Sequence, residues 1–553
     1  MYQIKDIINK YLHSQEYLHS QAVHYDLNPS QRRAVDVIKT AYYRRDVGLI
    51  QGPPGTGKTS VIVSSIEELI GKLDRNKEVL VYVAPTNKLV HDVLVDTLSI
   101  LYNIGYVTSD DIVKAIRVFG SDFNYKDAYK VRSPIDKDVK IIFTTDYQKF
   151  YVNFKEALER GFSFTFLVDE ASKAPLYRFL TPIAMELIRA DKSQSKLSID
   201  SLSVVGDPMQ AISKKPLYRL HREYLLMMSI LKRLVSDLNP DFESLLERSP
   251  SRFYKNILDH ASKLKNFVML DTTYRLPDPS HKIISKGFYN DLLRAFYAIN
   301  TRLTYNSELI DKFGDYIKWD TIAQKIMDAV KNNIGVIYIR HKDSAYRDTQ
   351  GQNIDSVRAY VAVRAAIAAS VITGKNTTII PIYRDMVNYI SFLMSAEDKF
   401  EQHIRKLKEE YKIRISVATA HSFLGAEDEN VVLVLGKEYL REEYPQHEPY
   451  IYYGSTLYFI EPEIFNVQFS RHKVLLIIIG NVERLVRSSN EIIKSYHSKK
   501  SRGLFDEILY GNSIMLKNSA QEILDLCGIE VKGNKRKVKS TGLCEVFDAP
   551  SSV

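Results

Sequence analysis

The order of apolar and polar positions between residues 45 and 210 predicts short strands separated by longer helices. The strand-like segments are apolar, rich in β-branched residues and four to six residues long in most cases. The clearest are residues 47–50, 79–84, 141–144, 166–168 and 202–205. Strands that alternate with helices are typical of βαβ units, which place parallel strands in one sheet. This part of the chain is therefore predicted to be a parallel α/β domain.

A second stretch with the same alternation runs from about residue 330 to 485. Its candidate strands are residues 335–339, 378–381, 415–418, 431–435 and 474–479, with a helix at 355–372. Between the two stretches, apolar residues recur at helical spacing and predict a helical insertion over about 217–268. These residues are Leu225, Met228, Leu231, Leu234, Val235 and Leu238.

Composition adds limits on the class of protein. The chain has 553 residues, 45% of them hydrophobic and 26% charged, which excludes disordered, collagen-like and coiled-coil chains. The 76 basic and 67 acidic residues give a net charge of +9, which permits a nucleic-acid partner. The two cysteines, Cys527 and Cys544, are too few for a four-cysteine zinc site and fit a reducing compartment.

No segment of the sequence indicates a membrane. The N-terminus lacks the apolar core of a secretory signal, and the strongly apolar runs, such as 474–479, are too short to cross a bilayer. We expect a cytoplasmic protein without membrane contact.

A phosphate-loop pattern follows the first predicted strand and precedes a helix-like run, which is the context that this motif requires. Its glycines let backbone N–H groups surround a phosphate at a helix N-terminus. The lysine can reach the β- and γ-phosphates, and the last threonine can ligate Mg²⁺. The residues are Gly52, Pro53, Pro54, Gly55, Thr56, Gly57, Lys58 and Thr59.

Two acidic residues end the predicted strand at 166–168. Downstream of a phosphate loop, Asp169 is expected to hold Mg²⁺ as a Walker-B aspartate. Glu170 is expected to polarise the attacking water. Together with the loop these residues predict a nucleoside triphosphatase.

Further segments, in order and spacing, resemble the motifs of superfamily 1 helicases. They are Gly206–Gln210, Leu270–Pro277, Thr419–Glu427 and Asn466–Lys473, with Asn28–Gln31, Ala84–Asn87, Phe288–Tyr289 and Pro381–Arg384 as additional matches. The similarity is nearest to the nonsense-mediated-decay branch of these helicases and covers about residues 27–485.

The resemblance implies an α/β fold with two tandem RecA-like P-loop domains, parallel sheets and ATP in the cleft between the domains. The domains would be an N-terminal helical segment at 1–26, a first RecA-like domain at 27–269 with the helical insertion, a second at 270–499, and a C-terminal segment at 500–553. The last segment carries a basic patch, for which both a solvated, partly flexible tail and a nucleic-acid contact stay open.

The resemblance also implies roles for single residues. Gln31 would bind the adenine edge, Tyr274 would stack on the base, and Glu427 would contact the ribose or the nearby cleft. Gln210 would sense the γ-phosphate. Arg275 and Arg471 would be arginine fingers from the second domain, which fits the charge that phosphoryl transfer develops.

Nucleic acid is expected to cross both domains just beyond the ends of their strands, where ligands collect in α/β sheets. Hydroxyl, amide and backbone N–H groups there can bind phosphates without reading the sequence. The candidate residues are Pro85, Thr86, Asn87, Thr144, Thr145 and His421.

These expectations describe a monomeric, Mg²⁺-dependent ATPase that moves along single-stranded DNA or RNA and unwinds tailed duplexes. The resemblance implies 5′→3′ movement. An ATP-gated clamp or ribonucleoprotein remodeller with little unwinding is the alternative, and an NTPase unrelated to nucleic acid is a third. The sequence does not distinguish DNA from RNA, because recognition of the 2′-hydroxyl depends on groove geometry.

Overall fold

A computed structural model describes the chain at residues 26–73, 77–103, 114–119, 138–145, 160–171, 199–210, 266–341, 354–423, 426–436, 457–499, 501, 504–532 and 535–550. The chain divides into two compact units, Met1–Leu270 and Asp271–Val553, which are described separately below. The predicted N-terminal helix at 1–26, except for Asp26, and the predicted helical insertion, up to residue 265, lie outside the described residues.

Unit 1 contains a seven-stranded parallel sheet with the strand order β3-β4-β2-β5-β6-β1-β7. The strands are β1 (Val47–Gln51), β2 (Glu78–Ala84), β3 (Ile116–Phe119), β4 (Ile141–Thr145), β5 (Ser163–Val168), β6 (Ile199–Gly206) and β7 (Phe267–Met269). The helices are α1 (Pro29–Arg44), α2 (Lys58–Ile70) and α3 (Asn87–Asn103). All five predicted strands are present, and the predicted parallel α/β fold is confirmed. The short edge strands β3 and β7 were not predicted.

The central strands of unit 1 are apolar along their length because helices cover both faces of a parallel sheet. Every residue of β2 after Glu78 is buried, as is every residue of β5 after Ser163. Helix α1 begins sharply because Asn28 and Gln31 form a capping box and Pro29 follows the cap.

Unit 2 contains a six-stranded parallel sheet with the order β12-β11-β13-β14-β10-β17. Two short strands, β8 (Thr272–Thr273) and β9 (Arg294–Ala295), pair outside it. The sheet strands are β10 (Val336–Arg340), β11 (Thr377–Pro381), β12 (Ile415–Val417), β13 (Asp428–Val434), β14 (His472–Gly480) and β17 (Glu545–Asp548). All five strands predicted for this region are present, so tandem RecA-like architecture is confirmed.

Helices surround the sheet of unit 2. They are α4 (His281–Phe288), α5 (Ser307–Lys312), α6 (Gly314–Trp319), α7 (Thr321–Lys331), α8 (Ser356–Thr373), α9 (Arg384–Ala396), α10 (Asp398–Tyr411), α11 (Glu463–Phe469), α12 (Val482–Ser498) and α13 (Leu504–Leu526). Among the described helices, α8 alone is long and apolar enough to cross a membrane, but 78% of that segment is buried inside the protein. It packs in the core of unit 2 with β10, β11 and β14.

The C-terminal segment is part of unit 2 rather than a separate tail. After α13, the strands β15 (Ile529–Lys532) and β16 (Lys535–Val538) form an antiparallel hairpin, and β17 then pairs with β10. Because the hairpin returns the chain to its starting point, Cys527 and Cys544 lie 4.7 Å apart at their Cα atoms and form a disulfide. The expectation that both cysteines fit a reducing compartment therefore differs from the structure, in which they are paired.

Candidate active site

The phosphate loop joins the end of β1 to the start of α2, as the sequence predicts. Lys58 is the first residue of α2, and its Nζ donates a hydrogen bond to the Gly52 carbonyl (3.0 Å). Glycine is required at two positions of the loop. A Cβ on Gly52 would lie 2.3 Å from Lys58 Cγ, and a Cβ on Gly57, whose φ is 77°, would lie 2.4 Å from Gln31 Nε2. The loop is therefore closely packed on the side chains that surround it.

Gln31 connects the start of α1 to the phosphate loop. Its Oε1 accepts a hydrogen bond from the Asn28 N–H (2.9 Å), and its Nε2 donates to the Thr56 carbonyl (3.0 Å). Thr56 Oγ1 in turn donates to the Pro53 carbonyl (2.8 Å). Gln31 is thus placed beside the phosphate loop, with both ends of its amide already bound to this chain.

The acidic pair after β5 lies beside Lys58. Lys58 Nζ is 3.5 Å from Glu170 Oε1, and both side chains are largely buried. Asp169 is only 2% exposed, and Tyr82 on the neighbouring strand β2 donates to its Oδ2 (2.9 Å). The Glu170 N–H donates to Asp169 Oδ1 (2.7 Å), and Glu170 has the left-handed φ of 45°.

Burial, followed by the negative charge of Glu170, raises the pKa of Asp169 to about 6. Lys58 and the Tyr82 hydroxyl act in the opposite direction. A buried carboxylate with a raised pKa is stabilised in its charged form by a cation, so the donor set of this corner fits a divalent metal ion.

Gln210 is buried after β6 and binds Asp207, a residue of the same motif for which no role was predicted. Gln210 Nε2 donates to Asp207 Oδ2 (2.6 Å), and Asp207 Oδ1 accepts from the Met209 N–H (3.1 Å) and from Gln51 Nε2 (3.3 Å). Since Gln51 directly precedes the loop residue Gly52, Asp207 links Gln210 to the base of the phosphate loop. The position of Asp207 directly after β6, within the motif Gly206–Gln210, was the signal in the sequence that could have predicted this role.

In unit 2, Arg275 binds a carboxylate of the same unit. Arg275 Nε donates to Glu427 Oε2 (2.6 Å), and Arg275 Nη1 donates to the Ser470 carbonyl (3.3 Å). Lys473 also forms an ion pair with Glu427. Burial acts to raise the pKa of Glu427, but Arg275 and Lys473 outweigh it and lower the pKa. Glu427 therefore carries its charge at neutral pH.

Arg471 is 1% exposed and is held by the backbone around it. Its Nε donates to the Val467 carbonyl (2.9 Å) and its Nη1 to the Ala426 carbonyl (3.3 Å). The next residue, His472, contacts Ser280 Oγ through Nε2 (2.7 Å), and burial lowers its pKa to about 3. His472 is thus neutral between two cationic residues, Arg471 and Lys473.

Tyr274 is half-buried, and its ring packs on Phe296 with a centroid distance of 4.9 Å. The structure thus brings Tyr274, Arg275, Arg471 and Glu427 into one region of unit 2, through contacts with the segments around residues 426 and 470.

The residues expected to contact nucleic acid differ in exposure. In unit 1, Thr144 and Thr145 pair in register with Val83 and Ala84, next to Pro85 and Thr86. Thr86 is exposed, whereas Thr144 and Thr145 are 1% and 6% exposed. In unit 2, His421 follows β12 and lies 3.8 Å from Glu461. Thr86 is therefore the most accessible candidate, Pro85, Asn87 and His421 are partly exposed, and Thr144 and Thr145 are buried.

Comparison with known proteins defines the class. Two family models, each described as an AAA domain, match residues 26–149 and 246–483. Such a pair is typical of superfamily 1 helicases. It covers the phosphate loop and the motifs of unit 2, whereas Asp169, Glu170 and Gln210 lie between the two matched ranges. The protein is an ATP-dependent helicase of the superfamily 1 type, a P-loop NTPase and thus an ATP hydrolase.

Three helicases illustrate the similarity. The DNA polymerase alpha-associated DNA helicase A of Saccharomyces cerevisiae is 20% identical over 502 residues, which are 85% of this chain and 67% of that protein. An uncharacterized ATP-dependent helicase of Methanocaldococcus jannaschii is 23% identical over 522 residues, 85% of this chain and 70% of that protein. The RNA helicase Mov10l1 of Mus musculus is 23% identical over 470 residues, 83% of this chain but only 34% of that protein.

Proposed function

We propose that this helicase moves along single-stranded nucleic acid in the 5′→3′ direction and unwinds the duplex ahead of it. The observation that supports the ATP-driven part of this proposal most directly is the cluster of Lys58, Glu170 and buried Asp169 at the carboxyl ends of β1 and β5. Ligands bind at this edge of parallel sheets. The order of the further motifs, nearest to the nonsense-mediated-decay branch, supports the direction of movement.

Hydrolysis in this proposal uses the residues around the phosphate loop. P-loop ATPase domains imply ATP and Mg²⁺, and bound Mg²⁺ neutralises charge on the β- and γ-phosphates. Thr59 and Asp169 would hold the metal ion, and Lys58 would bind the phosphates. Glu170, 3.5 Å from Lys58 Nζ, would accept a proton from the attacking water. Gln210 would sense the γ-phosphate, and its hydrogen bond to Asp207 would couple that contact to Gln51.

Unit 2 would complete the chemistry. Arg275 and Arg471 would stabilise charge on the transferred phosphoryl group, since planar guanidinium groups bind such oxygens bidentately. An arginine supplied by a second domain makes hydrolysis depend on domain closure, and release then follows reopening. Tyr274 would stack on the base and Gln31 would bind its edge.

The nucleic-acid substrate is tested by ATPase rates with matched DNA and RNA oligomers. One similar protein is named a DNA helicase and another an RNA helicase, so either strand chemistry is compatible with the comparisons. We expect stimulation by single strands of at least one type, with Lys58→Ala as the inactive control. ATPase activity indifferent to both oligomers would refute the proposal.

Strand displacement tests unwinding and direction. Duplexes with a 5′ or a 3′ single-stranded tail should be compared at saturating ATP, and displacement of the 5′-tailed substrate alone is expected. Stimulated ATPase with no displacement of either substrate would instead support an ATP-gated clamp or ribonucleoprotein remodeller. Displacement of the 3′-tailed substrate alone would contradict the proposed direction.

A further inference from the structure

Arg302 lies outside the helicase motifs but holds the backbone of one of them. Its Nη2 donates to the Tyr274 carbonyl (2.7 Å), and its Nη1 donates to the Arg275 carbonyl (2.9 Å). A guanidinium group has its donors in a fixed plane, so it can bind two consecutive carbonyls at once. An ammonium group has no such fork. Both carbonyls are therefore fixed by one side chain.

Arg302 is itself held by aromatic rings. Its guanidinium lies over the ring of Tyr297, 3.9 Å from the centroid, at the distance of a cation–π contact. Tyr297 meets Phe296 edge to face (4.8 Å), and Phe296 packs on Tyr274 (4.9 Å). The contacts thus run from the Arg302 guanidinium through the rings of Tyr297, Phe296 and Tyr274. Arg302 also binds the backbone carbonyl of Tyr274, so it contacts both ends of this series.

Thr273 binds the N–H groups of the same backbone segment whose carbonyls Arg302 binds. Its Oγ1 accepts hydrogen bonds from the N–H groups of Arg275 and Leu276, each at 3.3 Å. The backbone at Arg275 is therefore held through its N–H by Thr273 and through its carbonyl by Arg302. From this backbone the Arg275 side chain extends to Glu427, to which its Nε donates a hydrogen bond (2.6 Å).

We propose that Arg302 is a positioning residue for ATP hydrolysis, which fixes the backbone from which Arg275 extends. The inference rests on the proposed role of Arg275 as an arginine finger. Arg302 touches no reacting atom in this scheme. Its contribution is orientation, and a displacement of about 1 Å at a catalytic group can reduce the rate by about 10²-fold.

The test is a double-mutant cycle on nucleic-acid-stimulated ATPase activity. The variants are Arg302→Met, Arg275→Ala and the combination, with Arg302→Lys as a variant that retains the charge. We expect Arg302→Met to lower kcat by about 10- to 100-fold. In the Arg275→Ala background the same change should lower kcat by less than about twofold, because the group it orients is absent. Arg302→Lys should restore little, since it lacks the fork.

Thermal unfolding of the wild type and all four variants separates an effect on orientation from an effect on folding. If Arg302 only stabilised unit 2, Arg302→Met would reduce kcat by the same factor in both backgrounds, and this result would overturn the inference. Reduced kcat in Arg275→Ala with normal kcat in Arg302→Met would refute the inference alone. Normal kcat in Arg275→Ala would refute the finger itself, and with it the role of Arg302. Full activity of Arg302→Lys would also contradict the need for a planar fork.

Discussion

Replacement of Asp355 by asparagine should destabilise unit 2 by removing the charge that compensates a buried arginine. Asp355 caps α8, and its Oδ1 accepts a hydrogen bond from the Arg358 N–H (3.0 Å). Its Oδ2 lies 3.5 Å from Arg358 Nε and 3.6 Å from His341 Nε2. Arg358 is 1% exposed and donates through Nη1 to the carbonyls of Leu435 (2.8 Å) and Gly436 (3.0 Å). The Asp355 carboxylate thus provides the counter-charge for the Arg358 guanidinium, which is buried away from water.

The pKa of Asp355 gives the size of the effect. Burial acts to raise this pKa, but the nearby His341 and Arg358 outweigh burial and lower it from 3.8 to about 2. Each unit is worth 1.36 kcal/mol, so the charged form contributes about 2 kcal/mol at pH 7. Because the folded pKa is depressed, this stability is present above the unfolded pKa and is lost as the pH falls through about 2. Asparagine caps helices as well as aspartate, so the substitution isolates the charge.

Urea unfolding, followed by hydrogen-exchange protection of peptides from α8, measures the difference between wild type and Asp355→Asn. We expect about 2 kcal/mol at pH 7, falling by about half at pH 3. The exposed Asp315, in the first turn of α6, provides the control substitution Asp315→Asn. This control should leave the free energy of unfolding unchanged at both pH 7 and pH 3. Equal stability of Asp355→Asn and wild type at pH 7 would refute the reasoning, as would a difference that does not shrink at pH 3.

Four further expectations concern the proposed catalytic and strand-binding residues. Lys58→Ala should abolish ATP turnover, and normal turnover in a steady-state assay would refute the phosphate-loop role. Glu170→Gln should retain binding of a fluorescent ATP analogue while hydrolysis stops; loss of binding would leave its role as a base unsupported. Arg471→Ala should lower kcat by about 10³-fold or more if it is a finger, and little change in a folded variant would exclude it. Burial raises the pKa of Glu461 to about 7, and Glu461 lies 3.8 Å from His421, so oligonucleotide affinity should fall between pH 6 and 8 as the carboxylate becomes charged. Glu461→Gln should remove that dependence, and an unchanged pH profile would contradict it.

The strands of both sheets could be predicted because a parallel strand buried on both faces is a continuous apolar run. β14 shows this clearly, since seven of its residues from Val474 to Gly480 are buried in succession. The phosphate loop was equally predictable, because its specific pattern of glycines followed by a lysine and a threonine lies within the single short segment Gly52–Thr59. In both cases the information is local in the chain.

What the sequence could not show depends on distant parts of the chain meeting. β17 is only four residues long, and it becomes a strand through pairing with β10, some 200 residues earlier. Tyr82 has the position of an ordinary core residue in β2, yet the register of β2 with β5 carries its hydroxyl to Asp169. The pairing of Cys527 with Cys544 likewise depends on the hairpin between them.

Arg275 and Arg471, the two proposed arginine fingers of unit 2, differ in the groups that bind them, and this difference separates their proposed roles. Arg471 is held by backbone carbonyls, which stay in place when the local charge changes. Arg275 is held by Glu427, whose carboxylate it shares with Lys473. A phosphate that binds Arg275 would therefore replace one anion by another, and Lys473 would keep Glu427 paired after the exchange. The Arg275 guanidinium would thus be paired with Glu427 before the exchange and with the phosphate after it. In neither state would it be a buried charge without a partner. Arg275 is thus suited to bind and release in every cycle, whereas Arg471 is suited to remain fixed.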